Sequence, residues 1–299
     1  MNNIYDIIII GCGPAGMTAA IYAKRLNLNV LVLENSAPGG MMVNTEVISN
    51  YPGFSDVSGV DLSLAMYDQM IKLGATFESC LVKGIKKDGD IFTVYGETIE
   101  YFGKTVIIAT GTKNRTLGLD NESKYFYRGI SWCAICDGPL YKGKDVAVVG
   151  GGNSALSSAL TLSKFVNRVY LIHRRDEFRG DPIYVDKVKE TKNIEIIYNS
   201  NVVDLVGMPL EKIVVKDNNN TKKELQVSCL FEQIGRIPNS EFIDCEKDNE
   251  GFIITNSEYE TSIKGIFACG DVIRKSLRQI ATAVNDGAIA AISASNYIK

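Results

Sequence analysis

Cys133-Ala134-Ile135-Cys136-Asp137 sets two thiols three positions apart with a carboxyl directly behind the second. Thiols at this spacing can close a disulfide across one helical turn, and a helix N-terminus would lower the pKa of the first. If partly buried, Asp137 is an available acid or base, because thiol–disulfide exchange needs a proton delivered to the leaving sulfur. The bland alternative is two unreactive buried thiols. What stands on either side of the pair decides between them.

Two glycine turns flank it. Gly11-Cys12-Gly13-Pro14-Ala15-Gly16 follows an apolar run, Tyr5 to Ile10, that reads as a buried strand; a helix over Met17 to Leu26 and a second strand over Asn29 to Leu33 follow, with Glu34 at its end. In such a unit Gly11 permits the turn, Gly13 lets backbone N–H groups approach a pyrophosphate, and Gly16 permits close helix packing. Gly150-Gly151-Gly152-Asn153-Ser154-Ala155 repeats the pattern between a strand over Asp145 to Val149 and a helix over Leu156 to Phe165, with a further strand over Arg168 to Ile172. The register is shared: Gly11 to Glu34 spans 23 positions, and so does Gly150 to His173.

The chemistry at the end of the second strand differs between the copies. Glu34 suits the two free hydroxyls of a ribose, whereas His173-Arg174-Arg175 with Arg179 suits a phosphate on the 2′ position. The first site therefore reads as FAD and the second as NADPH, unless the basic run is a solvated loop. Hydride donor, flavin and disulfide then form an electron path, with the flavin as the converter between nicotinamide and dithiol.

Each unit has a later apolar strand closing on a glycine, Thr105 to Gly111 and Leu230 to Gly235, as two related domains would. Gly265-Ile266-Phe267-Ala268-Cys269-Gly270-Asp271 leads into a helix over about Ser276 to Tyr297 that has no other sheet to join, so the second domain is expected to be inserted into the first. Asp271 either binds a ribitol or caps that helix. Lys216 to Glu224 reads as a polar hairpin turn without a function.

The 299 residues are long enough for about two domains of ~150 residues. Lys+Arg 32 against Asp+Glu 35 gives a net charge of -3, which offers no global field for nucleic acid or an anionic membrane. The longest apolar stretch, Ile7 to Ala23, is broken by glycines and proline, and Met1 to Asp6 carries no Lys or Arg, so neither a leader nor a membrane span is expected. Cytoplasmic location follows from scattered cysteines without such a leader. With a single His and five of the seven Cys far apart, no metal site is expected, and Cys12 and Cys269 read as packing residues.

Taken jointly, these motifs resemble the bacterial low-molecular-weight NADPH–thioredoxin reductases, from Gly11 to Tyr297. The matching stretches also include Pro38-Gly39-Gly40, Asn50-Tyr51-Pro52-Gly53-Phe54, Ala109-Thr110-Gly111, Gly235 with Pro238-Asn239, Gly270-Asp271 and Arg278-Gln279-Ile280. The resemblance implies an α/β chain of two Rossmann-like domains of three-layer ββα type, with an NADPH domain over 114–241 inserted into an FAD domain over 1–113 and 242–299. It implies FAD contacts from Gly11, Gly13, Pro14, Ala15, Gly16, Glu34, Gly40, Asn50, Thr110, Gly111, Gly270, Asp271, Arg278, Gln279 and Ile280. For NADPH it implies Gly150, Gly152, Asn153, Ser154, Ala155, His173, Arg174, Arg175, Arg179 and Gly235. It further implies that Cys136 lies against the flavin, Cys133 attacks the disulfide of thioredoxin, Asp137 is the acid/base, and the enzyme is a homodimer whose second domain rotates about hinges near 113–114 and 240–242.

Some positions depart from that pattern. Ser157-Ser158 replaces a frequent pair of acids, Gly180-Asp181-Pro182 follows Arg179 and brings an acid toward the expected 2′-phosphate, and Pro139-Leu140 stands where aromatic residues often follow the dithiol. These leave open a reductase fed by ferredoxin or flavodoxin, or one that delivers electrons to a glutaredoxin-like or peroxiredoxin partner.

Overall fold

A computed structural model describes residues 4–45 and 47–299; residues 1–3, part of the stretch read for a leader, lie outside these. The chain divides into two compact units, Met1–Lys113 with Ile237–Lys299 and Asn114–Arg236.

In unit 1 the isoleucine run forms β1 (Ile4–Ile10), with Ile7 and Ile9 buried on one face and Ile8 and Ile10 on the other. Burial on both faces is what a central parallel strand requires. Pro14, whose missing N–H costs nothing in a first turn, opens α1 (Pro14–Arg25), and β2 (Val30–Glu34) returns parallel to β1. The Ser58 hydroxyl accepts the Asp61 N–H to cap α2 (Gly59–Lys72), which leads into β3 (Thr76–Ser79). A meander of β4 (Gly84–Asp88) and β5 (Ile91–Tyr95) joins β6 (Glu100–Ile108). The order is β3-β2-β1-β6-β5-β4, with the late strand Ile266–Ala268 also pairing β6. The expected strand over Thr105 to Gly111 thus starts earlier and stops at Ile108; from Ala109, whose N–H donates to the Ile10 carbonyl, the chain becomes loop.

The short β7 (Thr112–Asn114) carries the chain out of unit 1. Unit 2 contains β8 (Ile130–Ser131), α3 (Ala134–Asp137), β9 (Asp145–Gly150), α4 (Asn153–Leu162), β10 (Arg168–Ile172), α5 (Pro182–Glu190) and β11 (Ile194–Ile197). Then come the antiparallel strands β12 (Ser200–Val206), β13 (Lys212–Asp217) and β14 (Lys222–Gln226), and the parallel β15 (Cys229–Gln233). The parallel sheet runs β11-β10-β9-β15-β8. Val146 and Val148 pack with α4 and α5, while Ala147 and Val149 pack with residues of β12–β14, giving the expected ββα layering. The polar segment near 218–220 is the β13–β14 turn, held by Asp217 accepting from Asn219 and Thr221 N–H.

The return passes through β16 (Arg236–Pro238), which pairs β7, to β17 (Ile266–Ala268) and α6 (Ile280–Ile298). Two expectations shift. The second crossing lies at 236/237 rather than 241/242, because Asn239 and Ser240 are already tied into unit 1 through Thr110 and the Gly251 carbonyl. The last helix begins at Ile280, where Gln279 and Thr282 form a reciprocal capping box, so Asp271 is not its cap. No helix among the described residues is long and apolar enough to cross a membrane.

Candidate functional site

The unit 1 turn is shaped by opposite demands on its glycines. Gly11 has φ +106°, and a side chain there would collide with the Ala109 carbonyl; at Gly16 it would collide with the Gly11 carbonyl. At Gly13 a side chain would meet no atom of the described residues within 4 Å. Packing demands the outer two, whereas the middle one leaves open space at the N-terminus of α1, where backbone N–H groups favour an anion. Gly40, with φ +58°, lies over this turn, close to Gly13 Cα. Glu34 accepts the Cys12 N–H at 2.8 Å and the Ser36 N–H at 3.0 Å, so its carboxylate is fixed against the turn.

The later segment of unit 1 closes on the same place. Gly270 fits against Ala15, with Asp271 beside it in a short 3-10 turn. Asn50 Nδ2 donates to Gln279 Oε1 at 3.1 Å, and Thr110 and Asn239 exchange hydrogen bonds at 2.6 and 2.9 Å. The Arg278 guanidinium donates to the carbonyls of Lys275 and Ile273 and lies 4.1 Å from the Phe252 ring centroid. It therefore holds the 271–278 backbone that leads Gln279 and Ile280 to the helix start.

In unit 2, Gly150 (φ +150°) is blocked by the Gln233 carbonyl and Gly151 by the His173 ring, while a side chain at Gly152 would again meet nothing. His173 is buried, bonded through Nε2 to the Glu177 carbonyl at 2.9 Å. Burial, then the charges of Arg175, Arg179 and Arg174, hold its pKa below the ordinary value. It is thus a neutral prop under the turn, while the three arginines are exposed around it. Asp181 is tied to the first residue of α4. Its carboxylate accepts Asn153 Nδ2 at 2.8 Å, and its N–H donates to Asn153 Oδ1 at 2.7 Å, which laces the segment after Arg179 to the glycine turn. Arg115 N–H donates to the carbonyl of Gly235, which has φ +115°.

Cys133, at the N-cap of the four-residue α3, and Cys136 within it form a disulfide with Cα atoms 5.3 Å apart. Both are half-buried, while Ile135 and Leu140 beside them are exposed. The Cys136 N–H donates to Cys133 Sγ at 3.2 Å. Ser131 Oγ donates to Asp137 Oδ2 at 2.6 Å and accepts the Cys133 N–H at 3.1 Å. Burial pushes the Asp137 carboxyl above the ordinary range, against the opposing effect of the Ser131 hydrogen bond.

Sequence reasoning missed Ser131 and the buried group under Gly270. There Asp286 accepts Lys275 Nζ at 2.7 Å, the Tyr259 hydroxyl at 2.7 Å and the Gly270 N–H at 3.1 Å. An acid within the alanine-rich C-terminal helix was the available signal.

A disulfide turn in one chain with two dinucleotide-type glycine turns defines a class of flavin- and nicotinamide-linked disulfide enzymes, and the family comparison agrees. Residues 5–287 match the pyridine nucleotide-disulphide oxidoreductase family, and the chain belongs to it. Within that family it is similar to the thioredoxin reductase of Mycoplasma pneumoniae, 43% identical over 97% of this chain and 94% of that protein. The thioredoxin reductase of Bacillus subtilis is 39% identical over 100% of this chain and 96% of the other. Among solved structures, thioredoxin reductase from Streptococcus pyogenes superposes with a TM-score of 0.92, 41% identity and 99% coverage of both chains.

Proposed function

We propose that this chain is a thioredoxin reductase: unit 1 holds FAD, unit 2 holds NADPH, and the Cys133–Cys136 pair passes electrons to oxidised thioredoxin. The observation that carries the reading is a half-buried disulfide beside an acid, in a chain whose two glycine turns each leave room at their second glycine. The relatives that bear the name thioredoxin reductase support the acceptor.

In unit 1 the turn from Gly11 through Gly13, Pro14 and Ala15 to Gly16 takes the pyrophosphate and Glu34 a ribose. Gly40, Asn50, Thr110, Gly111, Gly270, Asp271, Arg278, Gln279 and Ile280 hold the rest, Arg278 also bracing the 271–275 backbone. In unit 2 Gly150, Gly152, Asn153, Ser154 and Ala155 take the pyrophosphate, Arg174, Arg175 and Arg179 the 2′-phosphate, with His173 beneath them and Gly235 alongside. A bound flavin supplies the two-electron conversion between nicotinamide and dithiol.

The residues of the dithiol turn do the rest. Reduction of the disulfide by two electrons and two protons gives two thiols. The Cys136 N–H aimed at Cys133 Sγ favours the Cys133 thiolate, the attacking form, whose proton goes to solvent. Its sulfur bonds to one sulfur of the acceptor disulfide, and the other leaves as a thiolate that takes a proton from Asp137. Cys136 then passes its proton to Asp137 and attacks Cys133 Sγ. The enzyme disulfide re-forms, and the second acceptor sulfur leaves with a proton from solvent, so the acceptor has gained two electrons and two protons.

Anaerobic titration of the purified yellow protein with NADPH should bleach the flavin, and oxidised thioredoxin should restore its colour. Bleaching by reduced ferredoxin or flavodoxin but not by NADPH would overturn the donor assignment. A cytoplasmic homodimer belongs to the same proposal; exposed Val60 and Leu64 on α2 offer apolar surface for a second copy, and light scattering tests it.

A further inference from the structure

Behind the dithiol turn, unit 2 buries two carboxyl groups, Glu122 and Glu232, and the first raises the pKa of the second. Glu122 accepts three backbone N–H groups, from Leu117 and Gly118 at 2.7 Å and from Leu119 at 2.9 Å. Glu232, in β15, accepts the indole N–H of Trp132 on Oε2 at 3.1 Å, while its Oε1 is buried without a donor among the described residues. The two residues are 3% and 2% exposed, so water does not substitute for the missing partner.

The neighbours of Glu232 grip the same segment. Phe231 pairs with Ser131, and Gln233 Nε2 donates to the Trp132 carbonyl at 2.9 Å. Three consecutive residues of β15 thereby hold Ser131-Trp132, the two residues that lead into Cys133.

We propose that Glu232 is a positioning residue for the dithiol: it shares one proton with Glu122 and, through Trp132, holds the segment that presents Cys133. The proposal rests on the dithiol being the working redox centre. With that proton on Oε1, Glu232 donates to Glu122 and accepts from Trp132, and every oxygen has a partner.

Burial first, and Glu122 second, push the Glu232 carboxyl up to about 9. The other group bearing on it is Cys229 on its own strand, whose thiol burial holds far above the ordinary range. The flanking β8 contributes no titratable side chain, and β9 only Asp145, at its far end beside Ser228. As pH rises through that value Glu232 loses its proton and becomes a carboxylate in a buried site with no donor for its Oε1 among the described residues. Glu122 is pinned by its three N–H donors, so Glu232 moves and takes the indole with it.

Trp132 is the only tryptophan of the chain, so its emission reads this contact directly. In the oxidised holoenzyme, where neither Cys133 nor Cys136 has a proton to lose, an alkaline titration of tryptophan emission should show an inflection near 9. Glu232→Gln, whose amide can donate to Glu122 and accept from Trp132, should abolish it, leaving only the later quenching by tyrosinate common to both proteins. Thioredoxin reduction should fall several-fold over the same range in the wild type but not in Glu232→Gln or in Trp132→Phe, which keeps a ring but lacks the N–H. The rate of flavin bleaching by NADPH should be alike in all three. Superimposable emission titrations of wild type and Glu232→Gln overturn the proposal, as does an alkaline fall that persists in both variants. An inflection lost in Glu232→Gln, in a protein that reduces no thioredoxin, supports the shared proton and removes the functional reading instead.

Discussion

At the scale of single residues, Asp137 is a carboxyl whose burial opposes its charge and whose hydrogen bond from Ser131 favours it. The balance holds its proton to higher pH than a free aspartate would, the direction an acid for a leaving thiolate needs. Asp137→Asn keeps the Ser131 contact but moves no proton. Stopped-flow should find flavin bleaching by NADPH intact and steady-state thioredoxin reduction lowered by about 10²-fold or more. Equal slowing of both steps would mean that the side chain only supports the fold. Glu232 shows the same physics with the same sign for stability. Its folded pKa is raised, so its contribution is full at low pH and is lost as pH rises toward about 9.

At the scale of elements, the glycine turns were legible because each is a local device: strand, turn and helix lie within one short stretch, and both copies keep one register. What the sequence concealed depends on partners far along the chain. Trp132 meets Glu232 across 100 positions, and Asp181 bonds Asn153 across 28. The boundary of the inserted unit was displaced for the same reason, since Asn239 is claimed by Thr110 on the other side of the insertion. The turn itself gives a sharp separation of roles. Gly16→Ala drives a methyl into the Gly11 carbonyl and should destabilise unit 1 by about 1–3 kcal/mol. Gly13→Ala meets no atom of the described residues, so the apoprotein should melt as the wild type does but fail to take up FAD. Thermal unfolding with and without FAD distinguishes the two, and equal loss of apoprotein stability would place the demand for Gly13 inside the protein.

At the scale of the whole molecule, the two units are unequal in how their chain is laid down. Unit 2 is one continuous stretch with apolar layers on both faces of its parallel sheet, whereas unit 1 needs β17 and α6, from beyond the insertion, to complete its sheet and cover α1. Each unit has its own core and its own glycine turn, so a ligand bound to one stabilises that one by mass action. A ligand at one hundred times its Kd adds about 2.7 kcal/mol to the unit it occupies. Calorimetry of the apoprotein should therefore resolve two transitions, with FAD raising the one that belongs to unit 1 and NADP⁺, even without FAD, raising the other. Were either ligand to move both transitions together, the units would be thermodynamically one body and the assignment of one cofactor to each would lose its support. A transition that NADP⁺ cannot move, in a protein that FAD stabilises, would single out the Arg174, Arg175 and Arg179 cluster as a solvated loop.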